Sequence, residues 1–134
     1  MNRKDMVWVW TGKRSPATLK DWDKTEAKQI VEAAIANTTK LKEAVSRIQV
    51  KAGRVYLFHL YEPNAPEGTQ FTVPLIDGKY LEFTLARITI YDKSKSFCNC
   101  SLDWQRPNNE WMTVDSGSLA ECIQIAEKSD WFQV

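Results

Sequence analysis

"RIQVKAGRVYLFHLYEP", residues 47–63, is where the chain changes its period. Upstream of it apolar residues recur every three to four positions, whereas within it β-branched and aromatic residues gather around Ala52-Gly53 with a period of two. A period near 3.6 marks a helix buried along one stripe, and a period of two marks a strand half-buried in a sheet. The stretch therefore predicts a passage from helix to sheet. It reads either as a hairpin turning at Ala52-Gly53 or as one long bulged strand, and it stops at Pro63, which has no backbone donor.

Working backward, "SPATLKDWDKTEAKQIVEAAIANTTKLKEAVSRI" at 15–48 is the helical region. Asp23 or Thr25 would cap it, Glu26 stands three residues after Asp23 as in a capping box, and Ile30, Ala34, Asn37, Leu41, Val45 and Ile48 suggest the buried stripe. Asn37-Thr38-Thr39 is the weak point, since short polar side chains compete for the backbone, so a break or kink is expected there. Before the helix, Val7–Trp10 is β-prone and ends at Thr11-Gly12, an edge strand or an ordered arm within residues 1–14.

Working forward, "PNAPEGT" is a loop, and "QFTVPLIDGKYLEFTLARITIY" at 70–91 reads as two strands joined at Asp77-Gly78. Pro74 puts the first of them at an edge or out of the ladder. Leu81, Phe83 and Leu85 share one parity while Ile88 and Ile90 take the other, which predicts a bulge at Ala86-Arg87. Two more strands, about 97–104 and 110–114, flank "RPNN"; a final helix starts at Ser118 with Glu121 closing a capping box and Leu119, Cys122, Ile123 and Ala126 as its inner stripe. The order predicts an α+β domain: an antiparallel sheet of about five strands with a long N-terminal helix and a short C-terminal helix packed on one face.

Composition agrees with one globular domain over 1–134, with 43% hydrophobic and 26% charged residues and length enough for a core without staples. Met6–Trp10 is too short for a signal segment, no stretch approaches a membrane span, and three cysteines without a regular framework suit a reducing compartment, so a cytoplasmic location is expected. Charge is uneven. Residues 1–54 carry twelve Lys or Arg against six Asp or Glu, and residues 55–134 carry six against eleven. The basic N-terminal part, including Lys13 and Arg14, could meet phosphates or an acidic partner. The six tryptophans are expected mostly in core or half-buried positions.

Chemistry-bearing motifs are few. Cys98 and Cys100, two apart on a strand, would share a core face with Leu102 and Trp104; with Cys122 and His59 they lack the knuckle spacing of structural zinc, so no metal and no cofactor are expected. His59 in "VYLFHLYEP" reads as a packed, hydrogen-bonded residue. No Gly-x-Ser-x-Gly elbow is present, and "TGKRS" lacks the upstream glycine of a phosphate loop. Asp77-Gly78-Lys79 has the acid, spacer, lysine order of a Mg²⁺-dependent nuclease, with Glu62 or Glu67 as the partner carboxylate. Around "RPNN", Trp104, Arg106, Asn108, Asn109 and Trp111 could form a mixed aromatic and polar tip suited to single-stranded nucleic acid or peptides.

The strand residues Val55, Leu57 and Phe58 with Pro63, followed by Trp104, Arg106 and Trp111 of "LDWQRPNNEW" and a capped C-terminal helix, resemble a small uncharacterised bacterial protein family over residues 24–134. The resemblance implies a helix, an antiparallel sheet, a short C-terminal helix and a bacterial source, and no chemistry. The expected function is a non-catalytic binding or accessory module contacting a macromolecule, protein or nucleic acid, without a membrane partner. Homodimerisation through a strand edge is a further expectation. The alternative is a small Mg²⁺-dependent nuclease or other hydrolase centred on Asp77 and Lys79.

Overall fold

Helix α1 spans Asp21–Ala36, and its first turn is tied by Asp23, whose carboxylate accepts the Lys20 backbone N–H at 2.9 Å. That bond, joined by the Lys93 ammonium at 3.3 Å, holds the Asp23 carboxyl below its ordinary value. The helix thus begins before Asp23, with Lys20 in the N-cap position instead of Asp23 or Thr25. Its buried stripe is Asp23, Ala27, Val31 and Ile35, while Ile30 and Ala34 are half-buried on the flank and Asn37 is exposed. The expected stripe through Ile30, Ala34 and Asn37 is one position off within α1, since it assumes a single helical phase through Leu41 and the break at Asn37 gives α1 and α2 different phases.

The break falls where the short polar residues stand. Thr38 Oγ1 donates to the Ile35 carbonyl at 2.6 Å and accepts the Lys42 N–H at 3.1 Å, so it closes α1 and opens the one-turn helix α2, Lys40–Ala44. The computed structural model describes residues 15–129 and 132; the arm or edge strand expected in residues 1–14, and Lys13 and Arg14 with it, lie outside the described residues.

Among the described residues the sheet is an antiparallel meander of five strands in chain order: β1 (Arg47–Lys51), β2 (Arg54–Tyr61), β3 (Leu81–Asp92), β4 (Asn99–Gln105) and β5 (Trp111–Gly117). Ala52-Gly53 makes the hairpin, with φ of +51° and +79°, the pair of positive values a two-residue turn needs. The first strand expected within 70–76 does not form. Pro74 removes a donor there, and only the Ile76–Tyr80 bridge closes around Asp77-Gly78. Each later strand junction carries a register shift, one of them beside the expected Ala86-Arg87: Leu57 faces Ala86 while Phe58 faces Thr84, leaving Leu85 as the extra residue.

Between β3 and β4 the one-turn element α3, Ser94–Phe97, holds Lys95, Ser96 and Phe97 at φ of +50°, +58° and +62°. Burial of the Phe97 ring anchors it, and Asp92 Oδ1 accepts both the backbone N–H and the hydroxyl of Ser94, which keeps the Asp92 carboxyl low. Because β4 starts only at Asn99, Cys98 is exposed and does not share the core face with Cys100, a correction to the expected pair. Burial pushes the Cys100 and Cys122 thiols up to about 12, so both are neutral packing groups.

The last helix, α4 (Leu119–Lys128), has the expected box: Ser118 Oγ accepts the Glu121 N–H at 3.1 Å and Glu121 Oε1 accepts the Ser118 N–H at 2.8 Å. Its buried residues are Leu119, Cys122, Ile123 and Ala126, as the sequence stripe predicts. These pack with Ala27, Val31 and Ile35 of α1, Leu41 of α2, and the sheet residues Val55, Leu57, Ala86, Ile88, Ile90, Cys100 and Leu102, so the helices lie on one face. No helix among the described residues is long and apolar enough to cross a membrane.

Glu127 joins α4 to α2. Its carboxylate accepts the backbone N–H groups of Thr39 and Lys40 at 3.1 Å and of Leu41 at 2.9 Å, capping α2 from α4. The Leu41 bond, then the Lys40 bond, holds its pKa below the ordinary 4.5. A depressed carboxylate contributes stability above its unfolded value and loses it as pH falls through the folded one. Glu127→Gln is therefore expected to lower Tm near neutral pH, with the gap to wild type closing below about pH 4.5, a trend that thermal melts at a series of pH values would read.

Candidate functional site

The sheet has a second face. Residues of parity opposite to the core lie outside the core cluster: Arg47, Gln49 and Lys51 on β1, Arg54, Tyr56 and Phe58 on β2, Glu82, Arg87 and Thr89 on β3, Ser101, Asp103 and Gln105 on β4, and Trp111 and Thr113 on β5. A solvated sheet face ordinarily carries scattered polar residues. This one carries a connected row of rings and arginines.

At one end Arg47 makes a forked bond to Glu82, Nε to Oε2 at 3.0 Å and Nη2 to Oε1 at 2.8 Å, while its guanidinium lies 4.1 Å from the centre of the Phe58 ring. The side-chain bonds to Arg47 hold the Glu82 carboxyl low and raise the Arg47 guanidinium in return. Phe58 stacks on Tyr56 with centroids 6.3 Å apart, and Tyr56 meets Trp111 edge-on at 6.5 Å. β2 and β5 are separated by two strands, about 14 Å at ordinary strand spacing, so these rings must lean over β3 and β4 to touch.

Beneath them sits the other end of the row. The Arg87 guanidinium is 4.3 Å from the Trp111 ring centre and its Nε donates to Asp103 Oδ2 at 2.9 Å. Thr89 Oγ1 donates to the same oxygen at 2.8 Å; Ser101 and Thr113 hydroxyls donate to Oδ1, each at 3.0 Å. The Asp103 side chain is 2% exposed, a buried carboxylate with a donor on every side. The single Ser101 proton goes to Asp103, so in the 3.4 Å contact with Tyr91 the phenol donates; Thr89 likewise accepts from Arg54 Nε at 3.4 Å.

The sequence singled out the tip of the β4–β5 hairpin. Trp104 faces Met112 and Gln105 faces Trp111, so the two indoles lie on opposite sides: Trp104 packs against the core, and Trp111 lies on the open face with the Arg87 guanidinium over its ring. Arg106, Asn108 and Asn109 are exposed in the turn, where Asn108 bonds Glu110 through both amide atoms and Asn109 N–H reaches the Arg106 carbonyl. Trp22, 66% exposed, is the third tryptophan described and is neither core nor half-buried. Arg47, Arg87, Tyr56 and Asp103 escaped sequence reading, and Phe58 entered it only as a strand residue. The alternation that puts Cys100 and Leu102 inward puts Ser101 and Asp103 outward, which is the one available signal.

Other candidates are less organised. Asp77 and Lys79 sit on the exposed Ile76–Tyr80 turn, with Lys79 5.1 Å from the Tyr80 ring centre, and Glu62 and Glu67 are exposed in the preceding loop. Among the described residues no three His, Cys, Asp or Glu side chains gather as a metal site. A cavity of about 580 Å³ is lined by Thr39, Lys40, Glu43, Ala44, His59 and Glu127. Three of its polar groups serve the fold: Glu127 caps α2, Lys40 Nζ donates to the Ser129 carbonyl, and His59 Nδ1 donates to the Ala44 carbonyl at 2.6 Å with its ring edge-on to Phe83. No family model matches the chain, and no curated protein or solved structure matches it either, so the likeness seen at Val55, Leu57, Phe58, Trp104, Arg106 and Trp111 assigns no family.

Proposed function

We propose that the protein is a non-catalytic module that binds single-stranded nucleic acid across the open face of its sheet. The observation that carries this reading is the row Arg47, Phe58, Tyr56, Trp111 and Arg87 on the face away from the helices. Unpaired bases stack on aromatic rings and on guanidinium planes, and phosphates seek cations nearby. Four cations, Arg47, Lys51, Arg54 and Arg87, stand on this face against Glu82 and Asp103, so the surface is net positive while both acids are already paired.

Anisotropy of a labelled oligothymidylate at low salt tests the reading. Wild type binds, and Phe58→Ala weakens binding by at least about fivefold, the lower bound for losing one stacked base. A photo-crosslinker at Gln49 provides the second arm in cell extract. If no oligonucleotide binds and the adducts at that position are destroyed by protease and resist nuclease, the face meets a protein and the nucleic-acid reading is wrong.

A further inference from the structure

We infer that the cations of the open face divide their labour: Arg47 is a base-stacking plane with little electrostatic role, and Lys51 and Arg54 make the phosphate contacts. The inference rests on the reading above and assigns individual residues within it. The Arg47 guanidinium carbon lies over the Phe58 ring, 4.1 Å from its centre, and both oxygens of Glu82 are bonded to it, so its charge is locally compensated. Its side chain is still 49% exposed, against 15% for Arg87, so of the two arginines that lie over rings it is the more accessible to a ligand. A cation that already faces a carboxylate attracts few counterions from a nucleic acid and adds little to the salt dependence of binding.

Lys51 and Arg54 differ from Arg47 in their partners. They face one another across the Ala52-Gly53 turn, carry no carboxylate partner among the described residues, and Arg54 spends only Nε on the neutral Thr89 hydroxyl. From Arg47 to Lys51 is four strand residues, about 13 Å, so stacking and charge occupy different ends of the hairpin.

The test is the slope of log affinity against log salt for a labelled oligothymidylate, with circular dichroism confirming the fold of each variant. Arg47→Lys keeps the charge and the reach to Glu82 but loses the plane; it is expected to weaken binding at least about fivefold at every salt concentration with the slope unchanged. Lys51→Gln with Arg54→Gln is expected to flatten the slope by about 1.4, two single-strand phosphate contacts. Wild-type affinity in Arg47→Lys, or an unchanged slope in the double variant, overturns the assignment while leaving nucleic-acid binding intact. Failure of the wild type to bind any oligonucleotide removes both readings together.

Discussion

Asp103→Ala is expected to cost about 3–5 kcal/mol of folding stability, the range for removing one partner of a buried ion pair. Four donors converge on that carboxylate, from Arg87, Thr89, Ser101 and Thr113, and the Arg87 side chain is itself only 15% exposed. Alanine leaves a guanidinium and three hydroxyls without their acceptor in a place that water reaches poorly. Since a domain of this kind is held by about 5–15 kcal/mol, the variant should unfold at a much lower urea midpoint. Asp103→Asn keeps one acceptor oxygen and opposes an amide to donors, so its midpoint should fall between the two. An Asp103→Ala loss below about 1 kcal/mol would mean that solvent relieves Arg87 and that the network adds no net stability.

Gly53→Ala is expected to cost about 2–3 kcal/mol, from two independent causes. Gly53 has φ of +79°, where a Cβ costs about 1–2 kcal/mol. The added Cβ would also stand 2.5 Å from the Ala17 carbonyl oxygen and 2.8 Å from Pro16 Cβ, and the first of these is backbone. That segment must move, which endangers the Ala17 N–H bond to the Ile90 carbonyl, now 2.7 Å and worth about 1 kcal/mol. Ala52, at φ of +51° one residue earlier, offers the control: Ala52→Gly relieves strain and should stabilise slightly in the same denaturation assay. A cost of only about 1–2 kcal/mol would show that the 16–17 segment gives way freely, and equal stability that neither cause operates.

Local signals were readable wherever the partners lie within a few residues. Ser118 and Glu121, three apart, formed their box; Asn37-Thr38-Thr39 broke the helix because Thr38 bonds Ile35 and Lys42; and the parity switch near Ala86-Arg87 marked the bulge at Leu85. The same locality misled at Cys98, where alternation was extended back into a stretch that is a left-handed turn, and at 70–76, where β-prone residues surround a proline. At the hairpin tip, proximity in sequence suggested that Trp104, Arg106 and Trp111 act together. Pairing of Trp104 with Met112 and of Gln105 with Trp111 turns the indoles to opposite faces.

By itself the sequence determined the order of the long helices and of the five strands, the break at Asn37-Thr38-Thr39 and the start of α4, because periodicity, turn glycines and capping residues act over one to four positions. Only the tertiary structure decided which side chains meet on the open face. Arg87 finds Asp103 and Trp111 rather than a neighbour, and Glu127 caps a helix 86 to 88 residues away. The Glu127 bonds depend on how the helices pack, and the meetings on the open face depend on strand register, where each bulge moves every later residue of its strand by one place, exchanging inside for outside. The candidate binding face is built from that accumulated register.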